Sequence, residues 1–297
     1  MLELEFFGAA GEVTGSCHIL RVGERQVLLD CGMIQGGRDA DARNAKPFPF
    51  DPAEIDAVVL SHAHLDHAGR LPLLVKRGFS GSIHTQNASQ DLCEILLKDA
   101  GYLQENQAER RNRYRKHHEE EAVPLYTLAD AEETLPSLTG HRYHAWFEVC
   151  EGIRARFMDA GHIMGSAIVE VEVRHGKEQR TLVFSGDLGQ FDTPILRDPE
   201  FPKHADLVLM ESTYGGRAHR SRDDTLLELE ELFRAAHAEK GNILVPAFAV
   251  GRSQEILYLL GKHYKEWGLH RWRIFLDSPM AIAATKVYWD HPHLYDD

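Results

Sequence analysis

The chain has 297 residues, with 43% hydrophobic and 27% charged positions and a formal charge of −13, the profile of a globular protein of one large or two moderate domains. No run approaches the roughly 20 apolar residues of a membrane helix, so no membrane partner is expected. The negative charge excludes nucleic-acid binding by bulk electrostatics alone, but leaves room for a site whose positive charge comes from bound cations.

The acidic start, Met1 to Phe7, has no signal-peptide pattern and reads as a first strand with alternating faces. Strand signals follow at Gln26 to Leu29, ending at Asp30, and at Ala57 to Leu60, ending at Ser61-His62. After His67 a short helix runs through Leu71, Leu74 and Val75 to Gly78. Residues 89–118 read as a long helix, with Leu92, Leu96, Ala100 and Leu103 at helical spacing. Its far end is basic from Arg110 to Lys116, more often a solvated face than a binding patch, and turns acidic at Glu119 to Glu121. Further strands are expected at 154–158, 166–173, 181–184 and 207–210. Helices at 224–239 and 253–264, alternating with apolar runs at 242–246 and 273–276, predict a partly parallel sheet with helical cover. The end, 290–297, follows directly on a new helix and does not read as a finished domain edge. The cysteines, Cys17, Cys31, Cys93 and Cys150, form no CxxC pair, which argues for a cytoplasmic protein without disulfides or a thiolate zinc site.

The sharpest signal is Ser61-His62-Ala63-His64-Leu65-Asp66-His67. Four candidate ligands in six positions, directly after an apolar strand, are hard to explain as packing. His62 and His64 share a parity and point the same way from extended chain, while Asp66 and His67 fall where the chain turns into a helix. One strand end can thus serve two adjacent metals with the imidazole and carboxylate set that suits zinc. A zinc site needs further donors. His162, in a glycine-flanked turn between two strands, and Asp187, just past an apolar strand, qualify, and a carboxylate can bridge two cations. Asp30, at the end of another strand, either caps its own turn or orients water at the metals, and the second role fits the converging strand ends better.

These residues resemble the successive signature motifs of the metallo-β-lactamase superfamily. The later runs Glu211-Ser212-Thr213-Tyr214-Gly215, Pro246-Ala247-Phe248-Ala249-Val250-Gly251-Arg252-Ser253-Gln254-Glu255 and Asp277-Ser278-Pro279 narrow the resemblance to its β-CASP ribonucleases, the group of RNase J and the nuclease subunit of the cleavage and polyadenylation specificity factor. The resemblance implies an α/β fold: an αββα sandwich over residues 1–207, then the start of an α/β cap over 208–297, cut short before two later histidine motifs of the family. Neither His291 nor His293 stands in the context of those motifs.

It also implies a zinc-dependent phosphodiester hydrolase acting on RNA, preferably single-stranded. One metal would be held by His62, His64, His162 and Asp187, the other by Asp66, His67 and Asp187. Asp30, Asp66, Asp187 and Glu211 are the candidate catalytic residues. Arg252, Ser253 and Ser278 are candidates for holding the RNA backbone, the first two because a strand-to-helix junction favours phosphate. A small-molecule esterase or thioesterase of the same fold and a non-catalytic RNA-binding relative are the alternatives. The first is disfavoured by the cap, the second by the unbroken set of amino-terminal ligands. An oligomer is possible, but its state is not inferable from the sequence.

Overall fold

The computed structural model describes residues 2–116, 120–218 and 220–296. Two β-sheets are stacked face to face. The first has the order β1 (Leu2–Phe6), β2 (His18–Val22), β3 (Arg25–Leu29), β4 (Ala57–Val59), β5 (Ser82–Gln86) and β6 (Leu138–His141). Its first three strands are antiparallel and the rest pair in parallel. The second sheet contains β7 (Phe147–Cys150), β8 (Ile153–Asp159), β9 (Ala167–His175) and β10 (Glu178–Phe184) as an antiparallel series, with β11 (Leu207–Leu209) added in parallel beside β10.

The period-2 pattern of the strands builds the sandwich. Leu20, Val27, Leu29 and Val59 of the first sheet meet Phe157, Val169, Val171 and Phe184 of the second in one buried layer. The opposite face of the first sheet, with Ile19, Leu28, Val58 and Ile83, is covered by α3 (Leu71–Lys76), α4 (Asn87–Arg113) and α5 (Leu128–Thr134). Leu92, Leu96, Leu97 and Ala100 form the buried stripe of α4, whereas Leu103, at the rim of that stripe, is exposed. The helix begins two residues before the expected position, capped by the Gln86 side chain, and ends at Arg113. Residues 117–119 of the expected helix end and acidic turn lie outside the described residues, as does Asp297. On the outer face of the second sheet Arg154 and Arg156 pair with Glu172 and Glu170, and both guanidinium groups lie over the Trp146 ring.

After β11 the chain forms α6 (Arg222–Ala238), α7 (Arg252–Lys262) and α8 (Pro279–Asp290). The apolar runs at 242–246 and 273–276, expected as strands, form none among the described residues. Leu244 and Phe275 are exposed, and an apolar run without a neighbouring ladder has nothing to hold it as a strand. Strands β2, β5, β6 and β7 were not anticipated. They are short, and polar residues such as His84 and His141 dilute their patterning.

Candidate metal centre

The candidate ligands meet where strands of both sheets end on one edge of the sandwich. Leu60 continues the ladder past β4 by donating to His84 O (2.8 Å). The chain then turns, and His64 O accepts from the N–H groups of His67 (2.9 Å) and Ala68 (2.8 Å). This closes the single turn α2 (Leu65–Ala68) and brings Asp66 and His67 round beside His62. Across from it, a Cβ on Gly32 would lie 1.6 Å from Asp66 O, so only glycine lets the end of β3 approach this turn. His162 comes from the loop between β8 and β9, and Asp187 from the turn after β10.

The expected parity of His62 and His64 appears as a direct approach, with His62 Nε2 3.1 Å from His64 Nδ1. His162 Nε2 lies 3.2 Å from the same atom. Asp187 divides its two oxygens: Oδ2 is 3.5 Å from His162 Nε2 and 3.8 Å from His62 Nε2, while Oδ1 is 3.1 Å from His67 Nε2. Asp66 Oδ2 is 3.9 Å from His67 Nε2. Among the described residues the donors therefore form two sets that share Asp187: His62, His64, His162 and Asp187, and Asp66, His67 and Asp187. A tetrahedral ion with bonds of about 2.1 Å needs donor atoms about 3.4 Å apart. The separations in the first set bracket that value, so these residues fit a metal.

The electrostatics agree with the geometry. Burial, reinforced by neighbouring imidazoles, holds the pKa of His62 well below the usual histidine range and that of His64 down at about 3. Burial lowers His162 as well. These rings are neutral, the form that binds metals. Burial works against ionisation of Asp187, but His67 and the other imidazoles outweigh it and hold the carboxyl at about 2. For His67, burial opposes protonation, yet Asp30 and Asp187 together raise its pKa well above the usual range.

Asp30 lies behind one of the candidate donors. Its carboxylate is fully buried and accepts from Ser61 N (2.8 Å), Ser61 Oγ (3.0 Å) and Ser16 Oγ (2.9 Å), and it lies 2.7 Å from His67 Nδ1. It faces His67 through Nδ1, the ring atom opposite the one near Asp187. Glu211 is likewise committed to main chain, accepting from Leu188 N (2.9 Å) and Thr213 N (3.2 Å), which braces the turn carrying Asp187. Ser253 donates its hydroxyl to Phe248 O (2.7 Å), and Ser278 caps α8 by accepting from Ala281 N (3.1 Å). The Ser253 hydroxyl proton is thus engaged inside the cap, whereas Ser278 accepts and keeps its own O–H to donate. Arg252 lines a cavity beside His64 and His162. His291, 2.6 Å from Asp91 of α4, stands apart from both donor sets.

Sequence reasoning missed the residues that shape the His162 loop. Ser166 Oγ accepts from the N–H groups of His162 (3.0 Å) and Ile163 (3.2 Å), Asp159 Oδ1 accepts from Gly161 N (2.9 Å), and Tyr143 donates to Ser166 O (2.7 Å). The Asp-x-Gly-His spacing was the available signal for Asp159. Nothing in sequence pointed to Tyr143. The donors form a ridge between two cavities, one of about 410 Å³ on the His67 side and one of about 370 Å³ on the His64 and His162 side.

Residues 10–247 match the family model described as the metallo-beta-lactamase superfamily. The chain belongs to that superfamily. Residues 253–297 of this metallo-β-lactamase chain match the family model described as the Beta-Casp domain. It is 45% identical over 282 residues to "Ribonuclease TTHA0252" of Thermus thermophilus, covering 95% of this chain and 59% of that protein. It is 31% identical to "Transcription termination factor FttA" of Methanococcus maripaludis, covering 97% of this chain and 43% of the relative. It is 29% identical to "Cleavage and polyadenylation specificity factor 73" of Drosophila melanogaster, with 100% and 41% covered. The chain thus spans between about two fifths and three fifths of these relatives.

Proposed function

We propose that this chain carries the metal centre of a zinc-dependent phosphodiester hydrolase that cleaves single-stranded RNA in the cytoplasm. The observation that carries this reading is the division of Asp187 between the two donor sets. A carboxylate held that way could serve a cation in each set. We take residues 1–207 as the domain that performs the chemistry and 208–297 as the beginning of a cap over the substrate. RNA is supported by the ribonuclease and cleavage-factor names of the relatives, and the cytoplasm by four free cysteines.

His62, His64 and His162, already neutral, would hold one zinc with Asp187, and Asp66, His67 and Asp187 would hold the other. Two zinc ions there supply water with a pKa near 7 and positive charge for the phosphate oxygens. The chain's own residues set the geometry. Asp30 fixes His67 through Nδ1, so that Nε2 faces Asp187. Ser166 and Asp159 hold the loop that presents His162. Glu211 holds the turn that presents Asp187. Arg252, the first residue of α7, is placed to meet backbone phosphate from the cap side.

The test is reconstitution of the 297-residue chain with zinc, elemental analysis after loose ions are removed, and incubation with end-labelled single-stranded RNA. A ratio near two and cleavage abolished both by a chelator and by His64→Ala is the expected result. A chain that retains no metal sinks the reading. Zinc-dependent thioester hydrolysis without RNA cleavage would replace RNA with a small-molecule substrate.

A further inference from the structure

The cavity of about 370 Å³ beside His64 and His162 has a wall that the metal donors do not explain. Arg222 opens α6 and Arg252 opens α7, and both guanidinium groups converge on one carboxylate. Arg222 Nη1 donates to Glu255 Oε1 at 3.1 Å, and Arg252 Nη1 to Glu255 Oε2 at 2.5 Å. Arg222 Nη2 also donates to Thr193 Oγ1 at 3.4 Å, which ties the cap to the loop after the Asp187 turn. All four residues line the cavity, together with His64, His162 and Asp187.

Glu255 neutralises one of the two guanidinium groups, and Asp187 and Glu211 line the same cavity nearer the donors, so the positive charge is local to the two arginine forks in a chain whose overall charge is −13. Each guanidinium has five N–H donors, and the bonds above occupy two on Arg222 and one on Arg252. Glu255, mostly buried, acts as a spacer that holds both forks in place with donors to spare. The start of α7, with Gly251 and Arg252, lines the same cavity and adds positive potential. The rim also carries Phe248, a large ring 86% exposed. Arginine forks suit phosphate, and an exposed ring beside them suits a base.

We propose that Arg222 and Arg252, spaced by Glu255, clamp a backbone phosphate neighbouring the one at the metal centre, with Phe248 as the stacking surface for an adjacent base of single-stranded RNA. This rests on the RNA hydrolase reading and adds Arg222, Glu255 and Phe248 to it. A small ester would have no second phosphate to occupy the clamp.

The test uses the full chain in chelator, so that no RNA is cleaved, with a fluorescein-labelled ten-nucleotide oligouridine and fluorescence anisotropy across a salt series. Arg222→Ala is expected to weaken binding about 10-fold and to flatten the slope of log affinity against log salt by roughly 1. Arg222→Lys should restore the slope while recovering only part of the affinity, because it keeps the charge and loses the fork. Phe248→Ala should weaken binding about 5- to 10-fold with the slope unchanged. If Arg222→Ala lowers the melting temperature but leaves affinity and slope as in the wild type, Arg222 is a structural tie to Thr193 and the clamp is overturned. If the wild-type chain itself fails to bind oligouridine although it still loads zinc, the RNA reading fails and the clamp with it.

Discussion

The backbone N–H of Met164, two residues past His162, donates to Tyr288 Oη at 3.2 Å across 124 positions of sequence. Tyr288 belongs to α8, so a helix of the cap holds the loop that presents a metal donor. The adjacent Ile163 packs under the turn before α7, where a Cβ on Gly251 would lie 3.1 Å from Ile163 Cγ2. Gly251 also has φ of +86°, a conformation open to glycine and strained for other residues.

Removing that hydroxyl should act at the metal. Tyr288→Phe strands a buried N–H, at a cost of about 1–3 kcal/mol. The expected result is a lower urea midpoint, with zinc affinity at the His62, His64 and His162 set falling several-fold in competition with a chromophoric chelator. Unchanged affinity would show that the cap and the His162 loop are independent.

Asp30→Asn tests the support behind His67. The amide keeps the shape but loses the charge facing Nδ1, and substitutions of this kind typically lower metal affinity about 10- to 100-fold. Elemental analysis of zinc-loaded protein should move from two ions toward one, with the first set retained. Loss of both ions would place Asp30 in the structure of the whole centre rather than behind one ring.

Asp187→Asn and His64→Ala should differ in extent. Asp187 reaches both donor sets, so its amide is expected to lower occupancy at both. His64 reaches only one, and its loss should leave zinc at Asp66, His67 and Asp187. Equal residual zinc in the two variants would contradict the shared carboxylate.

Burial pushes the Asp159 carboxyl up to about 7, against the partial relief of its bond from Gly161. The unfolded chain loses that proton near pH 4, so between about pH 4 and 7 the folded state binds more protons than the unfolded one. Stability from this group is complete below pH 4 and is lost as pH rises through 7, by up to about 4 kcal/mol. Asp159→Asn should flatten the fall in chemical-denaturation stability over that window. An unchanged slope would mean that Asp159 ionises normally.

The clustering of the candidate donors was legible in sequence because their information is local. His62 and His64 are set by strand parity, and Asp66 and His67 by the turn that follows. Asp187 stood out only because an apolar strand ended just before it. Roles that depend on distant partners were not legible. The same strand-end position that suggests a ligand for Asp30 also suits a carboxylate turned inward, and only the placement of Ser16, Ser61 and His67 around it decides. Ser253 looks like a phosphate contact at a helix start, yet its hydroxyl donates to nearby main chain, while Ser278 caps α8 as an acceptor. Arg222 drew no notice because its meaning lies in Glu255, 33 positions later. The runs at 242–246 and 273–276 have the composition of strands, but composition cannot supply a ladder partner.

The donors come from segments far apart, with His64 and His162 separated by 98 positions and Asp187 contributed by the other sheet. No short stretch of the growing polypeptide can gather a complete set of donors, so a metal held there would bind well only after both sheets have stacked and would not nucleate the fold. Zinc should therefore slow unfolding far more than it speeds refolding. If the proposed centre binds metal, its loss would leave the fold intact but loosen the edge where the two sheets meet.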